Sequence, residues 1–238
     1  ELAARERVAM LLIVGDAFAR PLADALEANP GRWDLSALVT IGSGGALFSA
    51  GVKRRLLAAL PRLRILDAGG SSETGSQMGQ ISTAAGAGTG RFAPNPGAVV
   101  VDADMTRILA PGDDEIGWLA QQGLVPLGYL DDPDKSARTF PLIAGVRHSI
   151  PGDRARWDAD GSIELLGRDS VTINSGGEKI FAEEVEAAIG HHPAVYDVVV
   201  VGRPSTRWGN EVVALAQLAA GTPHGPEDAE SIIAQVGR

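Results

Sequence analysis

The chain contains no cysteine. Disulfide bonds, thiol catalysis and thiolate metal sites are therefore excluded, and the composition fits a reducing compartment, so we predict a cytoplasmic location. No apolar run approaches the roughly 20 residues that a membrane-spanning helix needs. The formal net charge is −9, which argues against nucleic-acid binding, because that function needs a cationic surface to neutralise phosphates.

The first residues show neither an initiator methionine nor a signal-peptide pattern. The segment from Glu1 to Arg5 is typical of the middle of a helix, so we expect the chain to begin inside a longer protein. A hydrophobic share of 45% and a charged share of 21% are ordinary for a soluble globular protein. The 238 residues can form one large domain or two smaller ones.

Helical and strand patterns alternate over about the first 80 residues. Leu35 to Ile41 is predicted to be a strand that ends in the glycine loop Gly42 to Gly45, and Ser49 can cap the helix that follows. A second strand, Leu63 to Leu66, ends in Gly69 to Ser72. This order predicts a parallel α/β layer, in which ligands bind beyond the carboxyl ends of the strands.

The later parts of the chain have different patterns. Short β runs separated by turns between residues 99 and 166 predict a small, largely antiparallel and distorted β-barrel. After Gly167 the pattern predicts an amphipathic helix ending near His191, the strands Val198 to Val201 and Val212 to Leu218, and a helix over residues 227–236. The predicted fold class is therefore α/β and α+β, in three parts that cover residues 1–88, 89–168 and 169–238.

Two motifs follow the predicted strands of the first part. Gly44, Gly45 and Ala46 allow the backbone to approach a flat ligand closely, or they form a tight strand-to-helix turn. They are not a P-loop, because no Gly-Lys-Ser/Thr follows. Ser72 and Glu73 can hold phosphate oxygens and a hard cation such as Mg²⁺, or Ser72 caps a helix.

Further candidate residues lie later in the chain. Asp153 is either a structural turn residue or an acceptor for the hydroxyls of a ribose. Arg168 is either a solvated arginine or a donor to a nucleotide. The glutamates 183, 184 and 186 fit the start of a helix better than acid–base catalysis. Neighbouring His191 and His192 do not share a helical face, and a helix C-terminus explains them better than a metal site. Tyr129 and the four tryptophans are interpreted as core residues.

These motifs occur in an order that resembles the adenylate-forming superfamily from its middle to near its end. The series is Gly44-Gly45-Ala46, Ser72-Glu73-Thr74, Glu115-Ile116-Gly117 with Gly128-Tyr129, Gly152-Asp153, Gly167-Arg168 and Ser175-Gly176-Gly177-Glu178. The most specific stretch is GRDSVTINSGGEKIFAEEVE, Gly167 to Glu186, which resembles bacterial fatty-acid–CoA ligases, including those of actinobacterial lipid and steroid catabolism.

The resemblance implies an ATP-dependent acyl-CoA synthetase that activates a fatty or other hydrophobic carboxylic acid, with ATP, Mg²⁺ and coenzyme A. Residues 1–88 would be part of the nucleotide-binding subdomain, and residues 169–238 would begin a mobile C-terminal domain. The implied roles are as follows: the adenine and acyl pocket at Gly44, Gly45 and Ala46; phosphate contact at Ser72; Mg²⁺ binding at Glu73; ribose binding at Asp153 and Arg168; the hinge at Ser170; and the loop at the CoA channel at Ser175, Gly176, Gly177 and Glu178.

The chain departs from the family pattern at several places. Gly69 and Gly70 stand where the family often has an aromatic residue that stacks on adenine, and Ser170 stands where the hinge is often Asp or Lys. The upstream phosphate-binding loop is missing, and the C-terminal lysine that drives adenylation would follow Arg238; Lys179 is not assigned to that role. We therefore expect the 238-residue chain alone not to complete adenylation.

Two other functions stay open at this point. One is an adenylate-forming ligase that loads an acyl carrier protein, and the other is a non-catalytic nucleotide-binding or interaction module. The sequence does not name the acyl substrate, and it leaves a homodimer open.

Overall fold

The computed structural model describes residues 1–88, 90–219, 221, 222 and 230. The chain forms two compact units: the first comprises Glu1–Pro151 with Ala155–Leu165, and the second comprises Gly152–Arg154 with Leu166–Arg238. The helix predicted over residues 227–236 lies outside the described residues apart from Glu230. The predicted boundaries at residues 88 and 168 stay predictions.

The first unit contains four helices and most of an 11-stranded sheet. The helices are α1 (Leu2–Arg5), α2 (Gly15–Ala28), α3 (Ala50–Ala59) and α4 (Pro133–Thr139). The strands are β1 (Met10–Ile13), β2 (Thr40–Gly44), β3 (Arg64–Ser71), β4 (Gly75–Ser82), β5 (Arg91–Pro94), β6 (Ala98–Val101), β7 (Gly117–Gln122), β8 (Leu142–Ile143), β9 (Val146–Ser149), β10 (Asp153–Trp157) and β11 (Ile163–Arg168). Strands β10 and β11 continue into the second unit.

The strand order is β1-β2-β3-β4-β5-β11-β10-β7-β9-β8, with β6 paired to β7. Strands β1, β2 and β3 are parallel, as the α/β pattern predicts. The pairs β3–β4, β4–β5, β6–β7 and β7–β9 are antiparallel. Among the described residues this path stays open, so the antiparallel strands predicted as a small barrel belong to a continuous sheet and no closed barrel is recorded.

The glycines predicted as loops after two strands lie inside the strands instead. Strand β2 continues through Gly42 to Gly44, and β3 continues through Gly69 to Ser71. Close packing explains this difference, because a Cβ added at Gly42 would lie 2.7 Å from the Leu12 side chain and one at Gly70 would lie 2.0 Å from the Gly75 carbonyl oxygen. Tertiary contact here overrides the low strand propensity of glycine.

The core of the α/β layer lies between the sheet and helices α2 and α3. Ser49 caps α3 by accepting a hydrogen bond from the Val52 amide at 3.4 Å, as predicted. The helix then buries Leu56 against Ile41 of β2 and Ile65 of β3, all of them fully buried. This packing holds the carboxyl ends of β2 and β3 beside each other.

A buried ion pair joins α3 to the sheet. The Lys53 ammonium group lies 2.7 Å from the Asp67 carboxylate, and it also donates to the Gln80 side chain and the Gly88 carbonyl oxygen at 3.1 and 2.8 Å. Burial raises the pKa of Asp67, and the positive charge of Lys53 opposes that rise. Three hydrogen bonds from one ammonium group satisfy all of its donors.

The second unit is a small α+β assembly. After a 3-10 turn at Asp169–Val171, its elements are β12 (Ile173–Ser175), β13 (Glu178–Ile180), α5 (Ala182–Gly190), β14 (Val195–Ser205) and β15 (Gly209–Leu218). The four strands are antiparallel in the order β13-β12-β15-β14. Helix α5 buries Ala182 and Ile189 against Ile173 and Val200. The helix and the two long strands lie where the sequence predicts them.

Within the described part of the chain, no helix is long and apolar enough to cross a membrane.

Candidate functional site

The backbone at the carboxyl end of β2 is exposed. Gly44 ends the strand opposite Ala68 of β3, and a Cβ added there would lie 3.1 Å from the Ala68 carbonyl oxygen. Gly45 follows with φ +81°, a conformation that favours glycine, and a Cβ there would meet no atom within 4 Å. Gly45 and Ala46 are exposed. A flat ligand can therefore approach this backbone closely.

The segment after this strand end is fixed by the start of α2. The Gly15 amide donates to the Ser43 hydroxyl at 3.0 Å, and the Asp16 amide donates to the Leu47 carbonyl oxygen at 2.9 Å. The Asp16 carboxylate accepts from the Ser49 amide at 2.9 Å and pairs with Arg20 at 2.8 Å. Asp16 is a site residue that the motifs do not indicate; its sequence signal is an acidic residue next to Gly15, directly after an apolar run. In the structure Gly15 has φ +56°.

The turn between β3 and β4 carries the next candidate residues. The Ser71 and Thr74 hydroxyls lie 3.1 Å apart and accept from the Glu73 and Ser71 amides at 3.2 and 2.9 Å. Ser72 is exposed, and its hydroxyl makes no hydrogen bond to the described residues. The alternative of a helix cap at Ser72 is wrong, because β3 and β4 form an antiparallel hairpin here. The turn is thus built by Ser71 and Thr74, which leaves Ser72 available to a ligand.

The Glu73 side chain is held by Tyr129, which the sequence pattern predicts to be a core residue. The Tyr129 hydroxyl donates to Oε1 of Glu73 at 2.7 Å. This hydrogen bond holds the pKa of Glu73 below its usual range, while burial and the Glu73 carboxylate raise the pKa of Tyr129. Tyr129 is only partly buried, so its interpretation as a core residue is corrected. Its place in the Gly128-Tyr129 motif was the only sequence signal.

The second unit brings Asp153 and Arg168 together. Arg168 at the end of β11 lies 3.3 Å from the carboxylate of Asp153 at the start of β10. Beside this pair, Arg154 donates to Asp169 at 2.8 Å, and the Asp169 amide donates to the Gly152 carbonyl oxygen at 3.0 Å. In one ion pair β10 supplies the acid, and in the other it supplies the base. Together the two pairs hold the start of β10 beside the end of β11. Arg168 is mostly exposed, so its guanidinium can also reach a ligand.

The remaining candidates of the second unit lie in two short turns. Ser170 is exposed in the 3-10 turn. Ser175 and Glu178 flank the tip of the β12–β13 hairpin, where Gly176 and Gly177 have φ +60° and +93°. The Gly176 amide donates to the Trp208 carbonyl oxygen at 2.9 Å, and a Cβ at Gly176 would lie 2.9 Å from the indole ring of Trp208. Trp208 therefore supports the hairpin tip, a role that the sequence did not indicate.

The acidic cluster and the histidines are structural. Glu183 and Glu184 lie in the first turn of α5, and Glu186 accepts from the Val200 amide at 2.8 Å. His191 and His192 use their Nδ1 atoms for backbone hydrogen bonds at 2.5 and 3.2 Å. In the described residues no three His, Cys, Asp or Glu side chains are grouped to hold a metal ion.

Residues 184–238 match the sequence profile of the AMP-binding enzyme C-terminal domain. The chain is 57% identical to the medium-chain acyl-CoA ligase Mig of Mycobacterium avium, over 91% of the chain and 39% of that protein. These matches support a fragment of an enzyme of the adenylate-forming superfamily. It is also 46% identical, over 91% of its length, to the medium/long-chain-fatty-acid–CoA/3-oxocholest-4-en-26-oate–CoA ligase of Mycolicibacterium smegmatis, of which it covers 40%. The chain thus spans about two fifths of the length of these relatives.

Solved structures agree with this assignment. An ATP-bound RpMatB-BxBclM chimera superposes with a TM-score of 0.79 at 26% identity, covering 99% of the chain and 45% of the chimera. ATP-bound MatB from Rhodopseudomonas palustris superposes with a TM-score of 0.80 over 98% of the chain and 45% of MatB; at 24% identity this likeness shows the fold alone.

The first unit offers a cation only a few donor atoms near the β3–β4 turn. Glu73 provides one carboxylate, of which Oε1 already accepts from Tyr129, and exposed Ser72 adds a hydroxyl. Such a set is too small for an all-protein cage. Mg²⁺ is commonly held by one or two carboxylates with the remaining positions taken by substrate phosphates and water. Ser72 and Glu73 would therefore suit a divalent cation that takes its other ligands from phosphate oxygens and water.

Proposed function

We propose that the chain is part of an ATP-dependent acyl-CoA synthetase that activates a fatty or other hydrophobic carboxylic acid. The observation that carries this proposal is the 57% identity, over 91% of the chain, to a relative named as a medium-chain acyl-CoA ligase. The exposed Ser72 and the carboxylate of Glu73 in the first unit, and the Asp153–Arg168 pair in the second, add chemical support.

The proposed reaction has two steps. In the first, a carboxylate oxygen of the acid attacks the α-phosphorus of ATP, the bond to the β,γ-phosphates breaks, and pyrophosphate leaves with its electron pair. In the second, the coenzyme A sulfur attacks the acyl carbon, AMP leaves, and the thiol proton goes to solvent. Both steps depend mainly on positioning and on stabilisation of charge at phosphoryl oxygens.

In the first unit, we assign nucleotide contacts to the two strand ends. The open backbone from Gly44 to Ala46 would lie against the adenine and the acyl group, and the Ser72 hydroxyl would donate to a phosphate oxygen. Glu73 would hold Mg²⁺. When bound, Mg²⁺ supplies positive charge next to the phosphate oxygens.

In the second unit, we assign ribose binding to the ion pair. Asp153 would accept hydrogen bonds from the ribose hydroxyls, and Arg168 would donate to the nucleotide. Ser170 would act as the hinge between the two half-reactions. The hairpin from Ser175 to Glu178 would line the coenzyme A channel; its two exposed glycines with positive φ support a backbone that must approach a ligand closely.

An exchange assay tests the first half-reaction. Full-length protein incubated with ATP, radiolabelled pyrophosphate and a panel of fatty acids should form labelled ATP only when an acid is present. Glu73→Gln should reduce this exchange by about 100-fold or more, because charge stabilisation at phosphoryl groups is lost. Glu6→Gln, which changes an exposed glutamate, is the matched control and should exchange as wild type does. Exchange that does not depend on the acid contradicts the proposal.

The acceptor of the acyl group separates the closest rival function. Transfer to coenzyme A supports the proposal, whereas transfer to an acyl carrier protein alone favours the carrier-loading ligase. Binding of AMP without any exchange favours the non-catalytic module. The cytoplasmic location and the homodimer stay predictions.

A further inference from the structure

We propose that Tyr129 is a positioning residue for Glu73. Its hydroxyl holds one carboxylate oxygen, so that the other oxygen keeps a defined place for the cation–nucleotide complex. The inference rests on the proposed function and adds a residue to its machinery.

The geometry fixes Glu73 at two places. Its backbone amide donates to the Ser71 hydroxyl at 3.2 Å, inside the β3–β4 turn. Its Oε1 accepts from the Tyr129 hydroxyl at 2.7 Å, across 56 positions of sequence. A hydrogen bond from a phenol to a carboxylate is charge-assisted and stronger than one between neutral groups. The flexible glutamate side chain therefore loses much of its rotamer freedom before any ligand arrives.

Tyr129 is itself anchored by helix α4. The Ser136 hydroxyl accepts from the Tyr129 amide at 2.7 Å and donates to the Asp132 carbonyl oxygen at 2.6 Å. Asp132 caps the helix by accepting from the Lys135 amide at 2.9 Å. A Cβ added at Gly128 would lie only 2.8 Å from the Ser136 hydroxyl oxygen, so glycine permits this close contact.

The tyrosine ring is held from two sides. Its centroid lies 5.4 Å from that of buried Phe140, and the Lys135 ammonium group lies 4.0 Å from the ring centroid. Leu127 and Leu130, on either side of the tyrosine, are 85% and 91% exposed. Their side chains therefore do not anchor the segment around Tyr129. The ring contacts and the hydrogen bond to Glu73 thus define where the tyrosine lies.

The test uses the full-length protein with four variants: Tyr129→Phe, Glu73→Gln, the double variant, and Tyr196→Phe as the matched loss of a phenol hydroxyl elsewhere. Binding of Mn²⁺ in the presence of ATP is measured by electron paramagnetic resonance, together with kcat and KM for ATP and the thermal unfolding midpoint. Tyr129→Phe keeps the ring and removes only the hydroxyl.

We expect Tyr129→Phe to weaken Mn²⁺ binding by about 10- to 100-fold, the usual effect of losing an outer-shell partner of a metal ligand. The same substitution should change Mn²⁺ binding less than about twofold in the Glu73→Gln background, because the partner is already lost. Tyr196→Phe should bind Mn²⁺ as wild type does. If Tyr129→Phe does not fold, Mn²⁺ binding is measured in Ser136→Ala instead. That variant should lose less Mn²⁺ affinity than expected for Tyr129→Phe, and the loss should likewise depend on Glu73.

Four results overturn the inference. Unchanged Mn²⁺ binding in folded Tyr129→Phe, or an equal loss in the Glu73→Gln background, shows that the hydroxyl does not act through Glu73. Unchanged binding in Ser136→Ala, where that variant replaces Tyr129→Phe, has the same meaning. If the wild-type protein binds no Mn²⁺ with ATP, the proposed function is overturned as well. The other results overturn only the role of Tyr129.

Discussion

The Arg168 guanidinium lies 3.3 Å from the carboxylate of Asp153, so two residues assigned to the same ribose already contact each other. The Arg168 side chain is 60% exposed and that of Asp153 is 17% exposed. In the proposed ribose site, the pair would offer a ligand an acceptor and a donor held side by side at the ends of two neighbouring strands.

Asp153→Asn should weaken AMP binding by about 10-fold or more, because a hydrogen bond to a charged group contributes about 1.5–3 kcal/mol. The thermal unfolding midpoint should change little. Isothermal titration calorimetry of the full-length protein measures the affinity. Glu211→Gln, which alters the exposed pair of Arg203 and Glu211 at 2.9 Å, is the control and should bind AMP normally. Equal affinity in wild type and Asp153→Asn contradicts the ribose assignment.

The buried pair of Lys53 and Asp67 should be important for stability. Lys53→Met leaves the Asp67 carboxylate buried without its counter-charge, which costs about 3–5 kcal/mol in comparable cases. The double variant Lys53→Met/Asp67→Asn removes both charges and should recover a large part of that loss. Denaturant unfolding of wild type, Lys53→Met, Asp67→Asn and the double variant gives the coupling energy. If the two single losses simply add in the double variant, the ion pair is not the cause.

The free energy of unfolding should depend on pH through Glu186. Burial raises the pKa of Glu186 above its ordinary value of 4.5; the Val200 amide opposes this rise, and the Glu183 and Asp197 charges add to it. The folded state then holds this proton more tightly than the unfolded state, so its contribution is present at low pH and is lost as pH rises through the folded pKa.

Glu186→Gln keeps an acceptor oxygen for the Val200 amide and removes the charge. Its unfolding midpoint minus that of wild type should therefore increase as pH rises from about 4.5 towards 7. Thermal scans at several pH values measure this difference, with Glu211→Gln as the exposed control. A difference that stays flat or decreases with pH speaks against the raised pKa.

Two glycines, one near the end of β3 and one in α3, should differ sharply in their tolerance of alanine. A Cβ at Gly70 would lie 2.0 Å from the Gly75 carbonyl oxygen, so Gly70→Ala must distort the β3–β4 hairpin and should cost about 1–3 kcal/mol. Gly51 in α3 has open space around its Cβ position, and Gly51→Ala should be neutral or stabilising by up to about 1 kcal/mol. Chemical denaturation compares the two. Similar stabilities would rule out the steric account of the hairpin.

The sequence pattern predicts those elements that depend on neighbouring residues in the chain, such as helix caps and amphipathic faces. The Ser49 cap, the apolar face of α5 and the valine-rich strands β14 and β15 all lie close to their predicted places. The local pattern predicts loops at the glycines of β2 and β3, because their strand conformation depends on neighbours that the local sequence does not reveal.

The contacts of the candidate site were harder to predict. The Gly-rich edge, Ser72 and Glu73 could be named from the order of motifs. Tyr129 could not be joined to Glu73, because a hydrogen bond across 56 positions leaves no periodic trace in the sequence. The support of the β12–β13 hairpin by Trp208 has the same origin in tertiary structure.

The most direct test of the proposed function is the product balance of the full-length protein. Incubation with ATP, Mg²⁺, coenzyme A and a medium-chain acid such as decanoate should form AMP and decanoyl-CoA in equal amounts, each dependent on the acid. Chromatography with mass detection measures both products. ADP in place of AMP, or no acyl-CoA from a folded protein across a panel of fatty acids, would contradict the assignment as an acyl-CoA synthetase.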